Sequence, residues 1–215
     1  MKHRRDTIGN PGILYILIGI YGAVELALQL ADLGVIGPAR LRFLAYEYMG
    51  FWPGLLGPWR PNYTAQPYLM FLSYSFVHGG LVHLVVNMIT LWQLGRAVLA
   101  RVGLRGFLGL YFAAILGGAA GFGLLAERLQ PMIGASGGLF GLVGGLVAWA
   151  YIDRLSLAKG LWPVARVITL LVLLNVVLWW AMDGRLAWQT HLGGFVAGWI
   201  AAVLIDPRAR RPDDI

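Results

Sequence analysis

The chain is expected to be an all-α, polytopic membrane protein built as a bundle of six transmembrane helices. Three observations lead there. Hydrophobic residues fill 59% of the 215 positions and charged residues only 13%, with a mean hydropathy of +0.70, so polar material is too scarce to cover a soluble globule. The apolar residues gather into long runs without the two-residue alternation of strands. The 17 Lys and Arg residues are spread through the short segments between these runs, which fits membrane topology. A net charge of +7 therefore reads as contact with a lipid bilayer and not with nucleic acid. No cysteine is present, which excludes disulfides and thiolate chemistry.

The first run, about 11 to 31, follows the basic stretch Met1–Arg5. No small-residue cleavage site occurs near Ala31, and Gln29 and Asp32 end the run, so it is read as a retained helix and not a signal peptide. A long first loop, 32–78, carries Trp52, Trp59, Tyr63, Tyr68 and several prolines, which suits a segment lying in the headgroup layer. Five further helices are expected at about 79–98, 106–126, 136–152, 162–182 and 191–206. The organisation is thus an N-terminal tail (1–10), a membrane domain (11–206) and a C-terminal tail (207–215).

Orientation follows from the basic residues. One side collects Lys2, Arg4, Arg5, Arg96, Arg101, Arg105, Arg154, Lys159, Arg166, Arg208, Arg210 and Arg211; the other has only Arg40, Arg42, Arg60, Arg128 and Arg185. Both termini are expected on the cytoplasmic side. Helices two, four and six then start on the outer side, which brings His83, Asn87, Ser136 and His191 to one depth. Helices four and six, at 15 to 17 residues, span roughly 22 to 26 Å against a hydrocarbon core of ~30 Å, so their starts should be sunk in a cavity that water reaches. Gly137, Gly141 and Gly145 on one helix and Gly194 and Gly198 on the other offer smooth stripes for close approach, a feature also common as plain packing glue in membrane bundles.

Polar groups inside a membrane cost a few kcal/mol each and ask for a reason. Ser136 lies in Gly134-Ala135-Ser136-Gly137-Gly138, a turn without bulk, and His191 opens another apolar helix. A lone histidine there would be explained by a bond to a backbone carbonyl. Paired with a serine at the same depth, it is a candidate general base. No carboxylate is placed to orient it: Glu127 and Asp183 lie in outer connections, and Glu25 is in the first helix without an obvious partner. The unit is therefore a Ser136–His191 dyad, with Phe140, one turn after the serine, as a ring for the imidazole to rest against. His83 and Asn87, four apart on one helix face, can donate side-chain N–H groups and, with the Ser136 amide, form an oxyanion hole; an interhelical hydrogen-bonded pair is the alternative. The turn formally matches G-x-S-x-G, but no strand precedes it as a nucleophile elbow requires. A metal on His78, His83 and His191 has no accompanying carboxylate, and neither a metal nor another cofactor is expected.

The ordered set His78-Gly79-Gly80-Leu81-Val82-His83-Leu84-Val85-Val86-Asn87, then Gly134-Ala135-Ser136-Gly137, then His191-Leu192-Gly193-Gly194 resembles the rhomboid intramembrane serine proteases, over about Pro67 to Pro207. The resemblance implies a six-helix rhomboid-like bundle that cleaves transmembrane segments of other membrane proteins near their outer ends. It implies Ser136 as nucleophile, His191 as base, His83, Asn87 and the Ser136 amide as oxyanion stabilisers, and His78 as a loop-positioning histidine. Where many members carry a tyrosine one turn after the serine, this chain has Phe140, and a glutamate often seen near the end of the second helix appears as Leu99. The expected activity is an intramembrane serine endopeptidase, the expected partners are single-pass membrane proteins, and the expected residence is a bacterial inner membrane. A catalytically inactive relative that binds transmembrane helices is the competing reading, and a small transporter with Glu25 and the histidines as a proton relay is a third.

Overall fold

The computed structural model describes residues 11–127 and 129–205. Seven α-helices run in order among them: α1 (Gly12–Asp32), α2 (Leu41–Met49), α3 (Gln66–Ser73), α4 (Leu81–Leu125), α5 (Ser136–Ser156), α6 (Trp162–Ala181) and α7 (Trp188–Leu204). The only strand-like pairing among the described residues is a single antiparallel bridge between Phe51 and Met132. Helices α1, α4, α5 and α6 are each long and apolar enough to cross a membrane, and the chain is an integral membrane protein. The two tails of the sequence reading, and with them Lys2, Arg4, Arg5 and Arg208, lie outside the described residues.

Two of the expected helices are joined in α4. Its 45 residues continue helical geometry where a loop over 99–105 was expected, interrupted only at Gly103, whose φ of 68° and ψ of −174° suit a residue without a Cβ. In an unbroken helix Gly95 and Phe107 would stand ~18 Å apart. A Cβ built on Gly95 would lie 3.4 Å from the Phe107 ring, so the two arms double back on each other at the glycine.

Helix α5 also differs from expectation. It extends four residues past 152, because Asp153 and Arg154 are accommodated at its end instead of stopping it. Asp153 accepts both Arg101 guanidinium nitrogens at 3.0 and 3.1 Å, and Arg154 donates to the Gly160 carbonyl at 3.2 Å, a cation where the helix dipole favours one. At 21 residues α5 is ~31 Å long, so helix length gives no reason for Ser136 to be sunk. The 17-residue α7 does remain shorter than the hydrocarbon core.

The packing of α7 carries the smooth-stripe expectation further than the sequence did. It lies between α5 and the second arm of α4 at backbone contact: Gly198 faces the Gly141 carbonyl, Gly194 the Gly137 carbonyl and Gly193 the Gly117 carbonyl, each too close for a Cβ. Trp149, 1% exposed, closes the far end by donating to the Ala202 carbonyl at 2.9 Å. Helix α6 is the opposite case. Val164 is its one buried residue, and its apolar flank faces outward as a lipid-facing helix should.

The long segment 32–78 is ordered by short helices and not only by aromatics in the headgroup layer. Glu25, 1% exposed on α1, has a partner: Arg42 of α2 donates to its carboxylate at 2.9 and 3.1 Å, and Gln29 donates at 3.0 Å. The same guanidinium reaches Asp32 at 2.6 Å and the His78 carbonyl at 3.1 Å. Its hydrogen bonds to Glu25 above all, and those to Asp32, raise the Arg42 pKa further beyond its usual range.

Candidate active site

The turn into α5 is held from three sides by the segment before α4. Phe51 and Met132 exchange backbone hydrogen bonds at 2.9 Å each way, the Gly134 N–H donates to the Tyr74 carbonyl at 2.9 Å, and the Ala135 N–H faces the His78 Nε2 at 3.5 Å. His78 is fully buried, and its ring lies 5.1 Å from that of His83. Its carbonyl is in turn gripped by Arg42, so one chain of contacts runs from α1 through α2 to the turn.

Ser136 follows as the first residue of α5, half-buried, with an amide that has no intrahelical acceptor by its position. The close passage of Gly194 on Gly137 sets the height of α7, and Thr190 donates to the Met132 sulfur beside it. As a result the His191 Nε2 stands 3.0 Å from the Ser136 Oγ. The Phe140 ring stacks on the imidazole with centroids 4.0 Å apart and planes 7° from parallel. The expected Ser136, His191 and Phe140 are therefore in mutual contact, although 55 residues separate the serine from the histidine.

His83 and Asn87 line the other side of the turn, meeting it at Gly134. A Cβ on Gly134, whose φ is +110°, would lie 2.7 and 2.8 Å from Cε1 and Nε2 of His83 and 3.8 Å from Nδ2 of Asn87. Only glycine leaves that space open. The Gly79 N–H donates to the His83 Nδ1 at 3.2 Å, so Nδ1 is the acceptor of the neutral ring and Nε2 carries the proton towards the gap. Asn87 is 5% exposed, and its Nδ2 is a buried donor without an acceptor. Buried donors are nearly always paired, so this one marks a place where an acceptor from outside the chain is wanted.

One residue of the site escaped the sequence reading. Asn175, on α6, places its Oδ1 2.6 Å from the Nδ1 of His191. Orientation of the imidazole was expected from packing alone because only carboxylates were sought as its partner. The signal available was a single amide in the middle of an otherwise apolar run, Leu170 to Trp180. Among the described residues no group of three His, Cys, Asp or Glu side chains is gathered as a metal would need.

Comparison with known proteins agrees with the order of the motifs. The Rhomboid domain family matches residues 65–208. The chain is 31% identical over 130 residues to the rhomboid protease GluP of Bacillus subtilis, covering 60% of this chain and 24% of that protein. It is 32% identical over 129 residues to rhomboid-like protease 3 of Toxoplasma gondii, with 57% and 46% covered, and 30% identical over 134 residues to RHOMBOID-like protein 4 of Arabidopsis thaliana, with 62% and 33% covered. The matched stretch spans less than half the length of each of these relatives. With two thirds of the chain matched in one piece, and with the three motifs lying inside that piece, the protein is a member of the rhomboid family.

Proposed function

We propose that the protein is an intramembrane serine endopeptidase that cleaves transmembrane segments of other membrane proteins. The observation that carries this is the 3.0 Å approach of Ser136 Oγ and His191 Nε2 beside an unpaired, buried Asn87 donor. Ser136 Oγ attacks the scissile carbonyl carbon while its proton passes to His191 Nε2. The carbonyl oxygen becomes an oxyanion and receives the Ser136 N–H, the His83 Nε2–H and the Asn87 Nδ2–H. On collapse the C–N bond breaks, the imidazolium returns the proton to the leaving amine, and water then hydrolyses the acyl-enzyme by the same route.

A peptide bond inside a helix has its carbonyl engaged and shielded, so suitable substrates are single-pass helices that unwind readily near their outer ends. Helix α4 would supply two spans, one for each arm, and α7 the last, giving a six-span domain over 11–206 with tails 1–10 and 207–215 in the cytoplasm. The concentration of Lys and Arg on one set of flanks supports that orientation, with residence in a bacterial plasma membrane. No cofactor takes part in this scheme.

The test is cleavage of a single-pass substrate by purified protein in vesicles. Ser136→Ala should abolish it, and a fluorophosphonate probe should label the parent and not the variant. Cleavage by Ser136→Ala at the parent rate overturns the assignment. Detergent-solubilised, folded parent that neither cleaves nor takes the probe favours a helix-binding protein without catalysis.

A further inference from the structure

The contact between His191 and α6 goes beyond the dyad. An imidazole that accepts the Ser136 proton must have Nε2 bare, and so must carry its own proton on Nδ1. Nδ1 faces the Asn175 side chain at 2.6 Å. An asparagine in that place is ambivalent. Turned one way its oxygen accepts from Nδ1–H; turned over, its NH2 donates to Nδ1 and forces the ring proton onto Nε2, the unproductive tautomer. The Leu171 carbonyl removes the ambiguity, because it takes the Asn175 Nδ2–H at 2.9 Å. A flipped amide would set two carbonyl oxygens against each other there and lose that bond.

We propose that Asn175 is a positioning residue for the base, its oxygen fixing His191 in the Nδ1–H tautomer. The inference rests on the protease reading above. The bond crosses beside a cavity of about 500 Å³ bounded by Phe140, His191, Leu192, Phe195 and the α6 residues Ile168 and Val172. The Asn175–His191 hydrogen bond joins α6 directly to α7.

Other titratable groups do not substitute for Asn175. His83 on α4 meets the turn at Gly134, with its Nδ1 accepting from the Gly79 N–H. On the elements packed nearby, Tyr74 gives its hydroxyl to the Ile115 carbonyl and Tyr111 is paired with Tyr21. Arg101 and Asp153 pair at the opposite end of α4 and α5, Arg42 is engaged with Glu25 and Asp32, and Arg166 lies ~13 Å along α6 from Asn175.

The experiment is the pH–rate profile of cleavage for the parent, Asn175→Ala and Asn175→Asp, with Ser136→Ala as control. Asn175→Ala should lower kcat roughly ten- to hundredfold with KM little changed, and its acid limb should move to lower pH because the imidazolium loses an acceptor. Asn175→Asp should restore rate and move the acid limb to higher pH, because a carboxylate favours the imidazolium. Opposite displacement by two substitutions at one site is not what a general loss of packing gives. As a readout independent of activity, nitrogen NMR of histidine-labelled Ser136→Ala protein should show His191 protonated at Nδ1 and bare at Nε2. Parent-like rates and pH profiles in both Asn175 variants, or a His191 protonated at Nε2 in the control, overturn this inference and leave the protease reading standing. An active Ser136→Ala overturns that reading instead.

Discussion

At the residue scale the site works by leaving particular atoms uncovered. Gly134 keeps the space between the turn and the His83 Nε2 and Asn87 Nδ2 empty, so Gly134→Ala should both strain a left-handed backbone and place a methyl where the proposed mechanism puts the oxyanion. The expected result is loss of most cleavage while fluorophosphonate-independent measures of fold, such as thermal unfolding, fall by only a few degrees. Removing one donor is cleaner. Asn87→Ala should lower kcat by about 10² to 10³, equivalent to about 2.7–4 kcal/mol in the barrier, with KM nearly unchanged. His191 must be neutral to accept the serine proton, so the parent's rate should fall as pH drops through the titration of that ring; a profile flat from neutral into mild acid would count against it. The contact of Ser136 with His191, and the approach of His83 and Asn87 to Gly134 two residues before the serine, were legible in outline in the sequence, because polar residues stand out in apolar runs. Asn175 stands out equally in its apolar run, and it is missed when the partner of the imidazole is sought among carboxylates alone.

At the scale of elements, two kinds of helix coexist. Helices α4, α5 and α7 are fitted at their backbones, and a side chain at Gly198 or Gly194 has nowhere to go because the opposing atoms are main-chain carbonyls. Gly198→Val should therefore cost at least the 1–3 kcal/mol typical of overpacking and be read as a lowered midpoint in thermal or denaturant unfolding, with cleavage lost in parallel. The glycine spacing made the association of the fourth and sixth runs readable; the same four-residue spacing of Gly117 and Gly121, which fits the second arm of α4 against α7, was not used in the sequence reading. The ends of helices were the least legible feature. Asp153 and Arg154 read as a stop because isolated charges are costly in lipid, and only the bidentate Arg101 partner, 52 residues away in sequence, shows why α5 continues.

At the scale of the whole molecule, the segment 32–78 acts as a brace. Glu25 is buried against Arg42, which also holds Asp32 and the His78 carbonyl, so three parts of the chain meet at one guanidinium. Breaking a buried pair by removing one partner strands the other; Arg42→Ala should destabilise the fold by about 3–5 kcal/mol, whereas Arg42→Ala combined with Glu25→Gln should recover part of that loss in the same unfolding assay. None of this was visible in the sequence, where the aromatic residues of the segment dominated and Arg42 looked like one of a few basic residues on the outer side. The position of α7 has a consequence in time as well as in space. It is the last helix of the described chain to leave the ribosome, yet it fills the centre of the bundle and brings the imidazole. A nascent protein caught before Trp188 holds Ser136 without His191 and leaves the glycine-lined slot of α4 and α5 unfilled, so on the proposed protease reading synthesis itself withholds activity until α7 has joined the bundle.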